Sequence, residues 1–230
     1  MLLIALFFTA CSPNYYSPNT QNVPIITAKG GVALSVSGAD SQLEFEGAYG
    51  ISDNLAIQAN AGLILPNDED NGNGGTGKLF EAGLGYYTNL NESLHFDVFA
   101  LAGFGDMENH FPTSVQTNPG TTGKISARLA RFGIQPSLSF HKNYFSISAS
   151  ARMSSLQFSS IEGDLIFDNE DQVVYLTDNK SNFLIEPALT LRGGLKKVKL
   201  QVQLIKSFNV SNSDFRQETG QITGGVILQL

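Results

Sequence analysis

Histidines placed near carboxylates are the residues of this sequence with the clearest capacity for chemistry. His110 follows Asp106 and Glu108 in one polar stretch, and His95 alternates with Asp97. A histidine held beside a carboxylate can take a proton from water, so these groups would suit a hydrolase. The polar stretches around them are too short to build a tall cleft. We therefore predict no enzyme, with a membrane-embedded hydrolase as the weaker alternative.

Other candidate sites are incomplete. Serines alternate from Ser146 to Ser154, but that strand carries no histidine to activate them. Segment 67–75 is rich in Asn, Asp and Gly, as calcium loops are, yet Lys78 stands where such a loop needs a bidentate glutamate. The acidic stretch 164–171 is typical of a solvated loop. The sequence therefore predicts no catalytic residue, no metal and no cofactor.

The single cysteine, Cys11, favours lipid attachment over redox chemistry. Residues 1–10 form a short apolar run typical of a secretory signal segment. Because the usual positive start of such a segment is missing, we expect the true start to lie upstream. Phe8-Thr-Ala-Cys11 is similar to the lipobox of bacterial lipoproteins, although Phe8 replaces the preferred leucine. That similarity implies a lipid on Cys11. Residues 11–30 are rich in Pro and Asn and predict an unpacked, lipid-anchored linker.

Alternation of apolar and polar residues recurs from residue 31 to the end of the sequence. In 54–65, Leu55 and Ile57 share one face and Gln58 and Asn60 share the other. A period of two residues indicates β-strands, and about ten such segments occur. Eight is the alternative, because bacterial barrels have even strand numbers. We predict one all-β domain over 31–230, a single antiparallel up-and-down transmembrane β-barrel. In 123–140 the parity of the alternation changes near Ala130, which predicts a β-bulge.

The connections between these segments alternate between short and long. Short turns such as Ile51–Asn54 separate longer polar loops at 66–77, 106–122 and 157–181. Outer-membrane barrels have short periplasmic turns and longer extracellular loops. With an even strand number, we expect both chain ends on the short-turn, periplasmic side. A lipid on Cys11 would then enter the inner leaflet.

The polar faces of the predicted strands favour a membrane barrel over a soluble, lipocalin-type barrel with an apolar interior. Charged residues make up 15% of the chain, below the roughly one quarter of typical soluble domains. The charges that fall on the polar faces are nearly balanced, so we expect Arg–carboxylate pairs inside the lumen. This predicted lumen network comprises Glu44, Glu46, Glu81, Asp97, Arg128, Arg131, Arg152, Glu186 and Arg192.

Several local motifs resemble those of small outer-membrane β-barrel lipoproteins of the Bacteroidota. They include Ala48-Tyr-Gly-Ile-Ser-Asp-Asn54, Glu81-Ala-Gly-Leu-Gly-Tyr86 and Glu186-Pro-Ala-Leu189, and the resemblance covers nearly the whole chain. The last strand, with apolar residues on one face up to Leu230, is similar to the signal that the barrel-assembly machinery recognises. The resemblance implies no catalytic residues.

These observations predict a non-enzymatic outer-membrane barrel of structural or interaction type, with a lumen filled by side chains. Its partners would be outer-membrane lipid, the assembly machinery and an unknown protein or surface ligand at the long loops. A small-solute channel is the alternative. Nucleic acid is excluded as a partner because the net charge is −7, and affinity for phosphates comes from Lys and Arg.

Overall fold

A computed structural model describes residues 13–66, 74–111 and 121–230 of the chain. The predicted signal segment, the predicted lipid attachment at Cys11, and parts of the predicted loops 66–77 and 106–122 lie outside these residues.

Ten strands of the described chain close into one antiparallel barrel, which confirms the predicted fold and decides for ten strands over eight. Each strand pairs with its neighbours in the chain, and the last strand pairs with the first through Val36 and Val226. The barrel strands are β1 (Val32–Ala39), β2 (Gln42–Gly50), β3 (Leu55–Ile64), β4 (Gly74–Asn89), β5 (Leu94–Phe111), β6 (Gly123–His141), β7 (Phe145–Gly163), β10 (Ser181–Gly194), β11 (Val198–Lys206) and β13 (Gly220–Gln229).

Shorter elements lie at the long-loop end of the barrel. They are the hairpin of β8 (Ile166–Phe167) and β9 (Glu170–Asp171), helix α1 (Gln172–Asp178) and β12 (Phe208–Asn209). Helix α1 begins where the Asp171 side chain accepts hydrogen bonds from the backbone of Val173 and Val174. In the described chain, no helix is both long and apolar enough to cross a membrane.

The alternation places apolar side chains outside the barrel and polar ones inside. Ile57 is 45% exposed on the outer face, whereas its neighbour Gln58 is 3% exposed. The same division holds on β7, where Ile147 faces outward and Ser148 inward. A soluble ligand-binding barrel would have the opposite polarity. An apolar exterior and a closed hydrogen-bonded ring are the features that let strands cross a bilayer.

The barrel wall is much taller on one side than on the other. Strands β1 to β3 have 8 to 10 residues, whereas β5 to β7 have 18 or 19. The outward-facing apolar residues of the strands form a band that we call the apolar belt. On the tall side, its upper edge is marked by an ion pair between Lys78 and Asp106, whose side chains are 3.1 Å apart. The wall above it includes 74–77, 106–111 and 157–163, so these described parts of the predicted loops are strand.

Above the polar lumen, the inward side chains become apolar and pack beneath α1 and the β8–β9 hairpin. This long-loop cluster includes Ile125, Leu156 and Leu176, all fully buried. The β-bulge predicted near Ala130 is therefore wrong, because the same face of β6 points inward throughout and only the polarity of that face changes. The bulge lies instead in β7 at Ser160, whose φ is 49°.

Candidate functional site

The lumen collects eight of the nine predicted charged residues on the inner face of the barrel. Each is at most 5% exposed: Glu44, Glu46, Glu81, Asp97, Arg131, Arg152, Glu186 and Arg192. Arg128 is the exception and requires a correction. It lies on the exposed outer face of β6, opposite Asp106 of β5, one position above the apolar belt. The lumen charges are thus five carboxylates against three arginines. Sequence reasoning missed Lys199, which is also buried, at the short-turn end.

Two arginine–glutamate pairs form the centre of the lumen. Arg131 donates from Nε to Glu81 Oε1 over 2.9 Å and from Nη2 to Oε2 over 2.5 Å. Arg152 donates from Nε to Glu186 Oε2 over 2.8 Å, and its Nη1 lies 3.9 Å from Glu81. Because the Arg131 contact is bidentate and fully buried, it fixes both side chains geometrically. The central pairs connect β4, β6, β7 and β10 across the lumen.

The N-terminal residues run through this lumen, which corrects the prediction of an unpacked linker over 11–30. At the long-loop end, the Tyr15 backbone donates to the Arg216 carbonyl over 3.0 Å. At the short-turn end, the Asn89 side chain donates to the Thr27 carbonyl over 2.9 Å. Nearly every residue between these points is buried. We call residues 15–27 the threaded segment.

Tyr16 and Asn19 of the threaded segment complete the central pairs. Arg131 Nη1 donates to the Tyr16 hydroxyl over 2.6 Å, and that hydroxyl donates to Glu186 Oε1 over 2.8 Å. Arg131 Nη2 donates to Asn19 Oδ1 over 2.7 Å, and Arg152 Nη2 donates to the Asn19 carbonyl over 3.1 Å. Guanidinium groups in a lumen need acceptors for all their donors, and the threaded segment supplies several of them.

Gln21 is held on all sides by the barrel wall. Its backbone N–H donates to Gln203 Oε1 over 2.7 Å, and Gln203 Nε2 donates back to the Gln21 carbonyl over 2.9 Å. The Gln21 side chain donates to the Glu186 carbonyl over 2.6 Å and accepts from the Ser150 hydroxyl over 2.7 Å. Gln21 has no neighbouring strand to pair with, so these contacts satisfy backbone groups that would otherwise be buried without a partner.

The residues on either side of Gln21 are held in the same way. The Thr20 N–H donates to Glu44 Oε1 over 3.0 Å. The Asn22 side chain donates to Asn60 Oδ1 over 2.8 Å, and Gln135 donates to the Asn22 carbonyl over 2.8 Å. The segment is therefore hydrogen-bonded to strands on opposite sides of the lumen.

Below this point the threaded segment leaves the lumen and reverses into β1. Arg192 Nη1 donates to the Val23 carbonyl over 2.6 Å. Gly50 lies beside the departing chain, where an added Cβ would be only 2.6 Å from the Ala28 carbonyl oxygen. The reversal passes through Gly30, whose φ of 81° favours glycine. The barrel wall is thus shaped to let the segment pass.

The other lumen carboxylates have hydroxyl, amide or histidine partners. The Ser35 hydroxyl donates to Glu46 over 2.6 Å, and Ser137 donates to Asp97 Oδ1 over 2.7 Å. Among the described residues, neither Glu44 nor Glu46 forms an ion pair with a lysine or arginine. His95 Nε2 lies 3.4 Å from Asp97 Oδ2.

The two predicted histidine–carboxylate groups lie in different parts of the barrel. His95 and Asp97 lie together in the lumen with side chains at most 1% exposed, whereas Asp106 lies on the outer wall with Lys78. Ser137 donates its hydroxyl proton to Asp97 rather than to a histidine, which is not the arrangement of an activated nucleophile. His110 lies above the apolar belt on β5, paired with Lys124 in the strand register.

No family model and no curated protein matches the chain. Among solved structures it is similar to a KdgM porin, with a TM-score of 0.39, 8% identity, and coverage of 87% of this chain and 99% of that one. A KdgM porin in complex with disordered oligogalacturonate gives a TM-score of 0.38 at 6% identity, with the same coverage. LpxR from Salmonella typhimurium gives 0.39 at 9% identity, covering 86% and 99%.

The long-loop end of the lumen is closed by packed aromatic residues on one side and open on the other. Tyr15 stacks on Tyr175 with ring centroids 5.7 Å apart, and the Arg216 guanidinium lies 4.3 Å from the Tyr175 centroid. Burial raises the pKa of both phenols above its ordinary value, and the Tyr15 hydroxyl donates to Gln172 Oε1 over 2.9 Å. On the open side, a cavity of about 590 Å³ lies between residues 13–17 and the low β1–β2 hairpin.

Proposed function

We propose that this protein is an outer-membrane β-barrel lipoprotein, non-enzymatic, whose lumen is sealed by its own threaded segment. The single observation that carries the proposal is the course of residues 15–27 through the lumen, with hydrogen bonds to the wall along its length. A barrel built in this way acts as a rigid structural or docking element in the envelope, and its long-loop end is the contact surface.

The membrane part of the proposal is supported by the outer face of the barrel. The apolar belt on β5 runs from Leu94 to Phe104, about the 9 to 11 residues that a tilted strand needs to cross the hydrocarbon. Bacterial barrels of this type have long loops outside and short turns in the periplasm, which sets the orientation. Outer-membrane lipid is then the partner of the belt. The barrel-assembly machinery is the expected partner of β13 during insertion.

The contact surface at the long-loop end is predominantly acidic. It includes α1 and the β8–β9 hairpin, with exposed carboxylates at Asp164, Asp168, Glu170, Asp171 and Asp178. Arg216 is held inward by Glu170, 2.8 Å away, which leaves the outward rim largely negative. A cationic protein surface, or divalent ions that bridge to anionic lipid, would suit this rim.

A small-solute channel is the second candidate. The observation that favours it is a pair of cavities at opposite ends of the lumen, about 590 Å³ at the long-loop end and about 470 Å³ at the short-turn end. A solute would need to pass the central pairs between them. Against this, the threaded segment occupies that passage, and barrels near this strand number are narrow even without one.

Two measurements on the purified protein test the proposal. We expect a shift in gel mobility between unboiled and boiled samples from the outer-membrane fraction, because a closed barrel resists detergent until it is heated. In planar bilayers we expect no discrete current steps. Steps from the parent protein would instead support the channel, and a soluble protein without a mobility shift would contradict the membrane barrel.

Lipid attachment is tested at Cys11. Cells grown with an alkyne fatty acid are expected to label the parent protein, and Cys11→Ser should abolish the label because serine offers no thiol for the thioether. Ser12→Ala is the matched control and should leave labelling unchanged. An unlabelled parent protein, or label that persists in Cys11→Ser, would refute attachment at this residue.

A further inference from the structure

The threaded segment has a fixed direction through the barrel. Tyr15 contacts the long-loop end through Arg216, and Thr27 contacts the short-turn end through Asn89. The chain then turns at Gly30 and enters β1, which runs back toward the long loops. Pro13, the first described residue, therefore lies at the end of the barrel opposite Leu230. The expectation that both chain ends lie at the short-turn end does not hold for this residue.

The chain reaches the long-loop end beside the tall wall, where it faces the low β1–β2 hairpin across the open cavity. Asn14 accepts a hydrogen bond at its carbonyl from the Asn109 side chain over 2.9 Å, and its own side chain is exposed. Across the open cavity lie the β1–β2 hairpin, at residues 39–42, and the end of β3. Because these strands are short, the hairpin stands close to the level at which the apolar belt ends.

A return to the periplasmic side is excluded by reach. Each residue spans at most about 3.6 Å, so Cys11 lies within roughly 7 Å of Pro13 along the chain. The hydrocarbon core is about 30 Å thick, and the lumen is already occupied by the segment itself. Residue 11 cannot reach the inner leaflet from where the structure places residue 13.

We infer that the chain emerges from the barrel at Pro13 on the cell-surface side, so that a lipid on Cys11 would be within reach of the outer leaflet and not of the inner one. The inference rests on the proposed function for the barrel's orientation and for the lipid. It replaces the expected inner-leaflet anchor with an anchor on the same side as the acidic contact surface.

Labelling of intact cells with a membrane-impermeant maleimide tests the exit side. Three single variants each place a thiol at an exposed position: Asn14→Cys on the emerging chain, Thr177→Cys on α1, and Lys197→Cys in a short turn. The parent protein, with its own Cys11, is the blank. We expect Asn14→Cys and Thr177→Cys to label in intact cells, and Lys197→Cys to label only after permeabilisation.

The three variants separate failure of the inference from failure of the proposed function. If Thr177→Cys labels in intact cells while Asn14→Cys labels only after permeabilisation, the barrel is correctly oriented but the inference is overturned. If Lys197→Cys alone labels in intact cells, the orientation itself is wrong and the proposed function fails with it. Because Cys11 is the one native cysteine, Asn14→Cys combined with Cys11→Ser carries a single thiol, and we expect it to label in intact cells as Asn14→Cys does.

Discussion

Replacing Arg131 with leucine is expected to lower the free energy of unfolding by roughly 3–5 kcal/mol, the usual effect of removing one member of a buried ion pair. Arg131 makes a bidentate contact with Glu81 and also donates to Tyr16 and Asn19. Its loss would leave a buried carboxylate and two polar groups of the threaded segment without their partner. Urea unfolding of the protein in lipid vesicles would measure the change.

The chain offers a matched control for this substitution on the same strand. Arg128→Leu removes an arginine from the exposed outer face of β6, and we expect a change of no more than about 0.5 kcal/mol. Combining Arg131→Leu with Glu81→Leu should recover part of the loss, because the carboxylate that Arg131 would leave unpaired is then removed as well. Equal effects of Arg128→Leu and Arg131→Leu would contradict the assignment of Arg131 to the central pairs.

Replacing residues 15–23 with a glycine–serine sequence of equal length is expected to convert a non-conducting barrel into one that conducts ions. The replacement removes the Tyr16 ring and the Asn19, Gln21 and Asn22 side chains that fill the lumen. A flexible chain without those side chains cannot form the same hydrogen bonds and leaves room for water. Single-channel recording in planar bilayers should show discrete steps that the parent protein lacks.

Two controls distinguish an opened lumen from a misfolded protein. The replaced protein must retain the heat-dependent gel mobility of a closed barrel for its current to be interpreted. Gln21→Ala, which shortens one side chain of the threaded segment, should give an intermediate and rarer current. A folded glycine–serine variant that remains silent would show that the lumen is closed by the wall itself rather than by the segment.

The barrel was predictable because strand alternation is a local signal. Ile57 and Gln58 differ in polarity, and one-residue spacing is enough to send them to opposite faces. The same rule brings Ser150 and Arg152 to the inner face of β7. Residues near the ends of the long strands were less predictable. Arg128 alternates with the apolar residues Ile125 and Ala127, and we expected apolar residues to face outward and Arg128 to face the lumen. In the structure Ile125 and Ala127 face inward, in the long-loop cluster, so Arg128 faces outward.

The threaded segment could not be predicted from local pattern. Its prolines and asparagines are typical of a linker, and its partners lie far along the chain, 182 residues away for Gln21 and Gln203. Its contacts use backbone groups and amide side chains, which leave no apolar periodicity. One weak sign was present. The run Asn19–Asn22 is polar yet uncharged and lies between Tyr15-Tyr16 and Val23-Pro24-Ile25-Ile26, as suits a chain buried in a polar tunnel.

The threaded segment also imposes an order on assembly. The wall around it is an unbroken hydrogen-bonded ring, completed where β1 meets β13. The segment is continuous with β1 and is hydrogen-bonded to strands on opposite sides of the lumen, so it lies inside this ring in the folded molecule. Strands that gather around the segment before the ring closes bury the lumen arginines together with their acceptors in the segment. A ring that closed first would bury these arginines without those acceptors, so we expect the segment to be in place before closure.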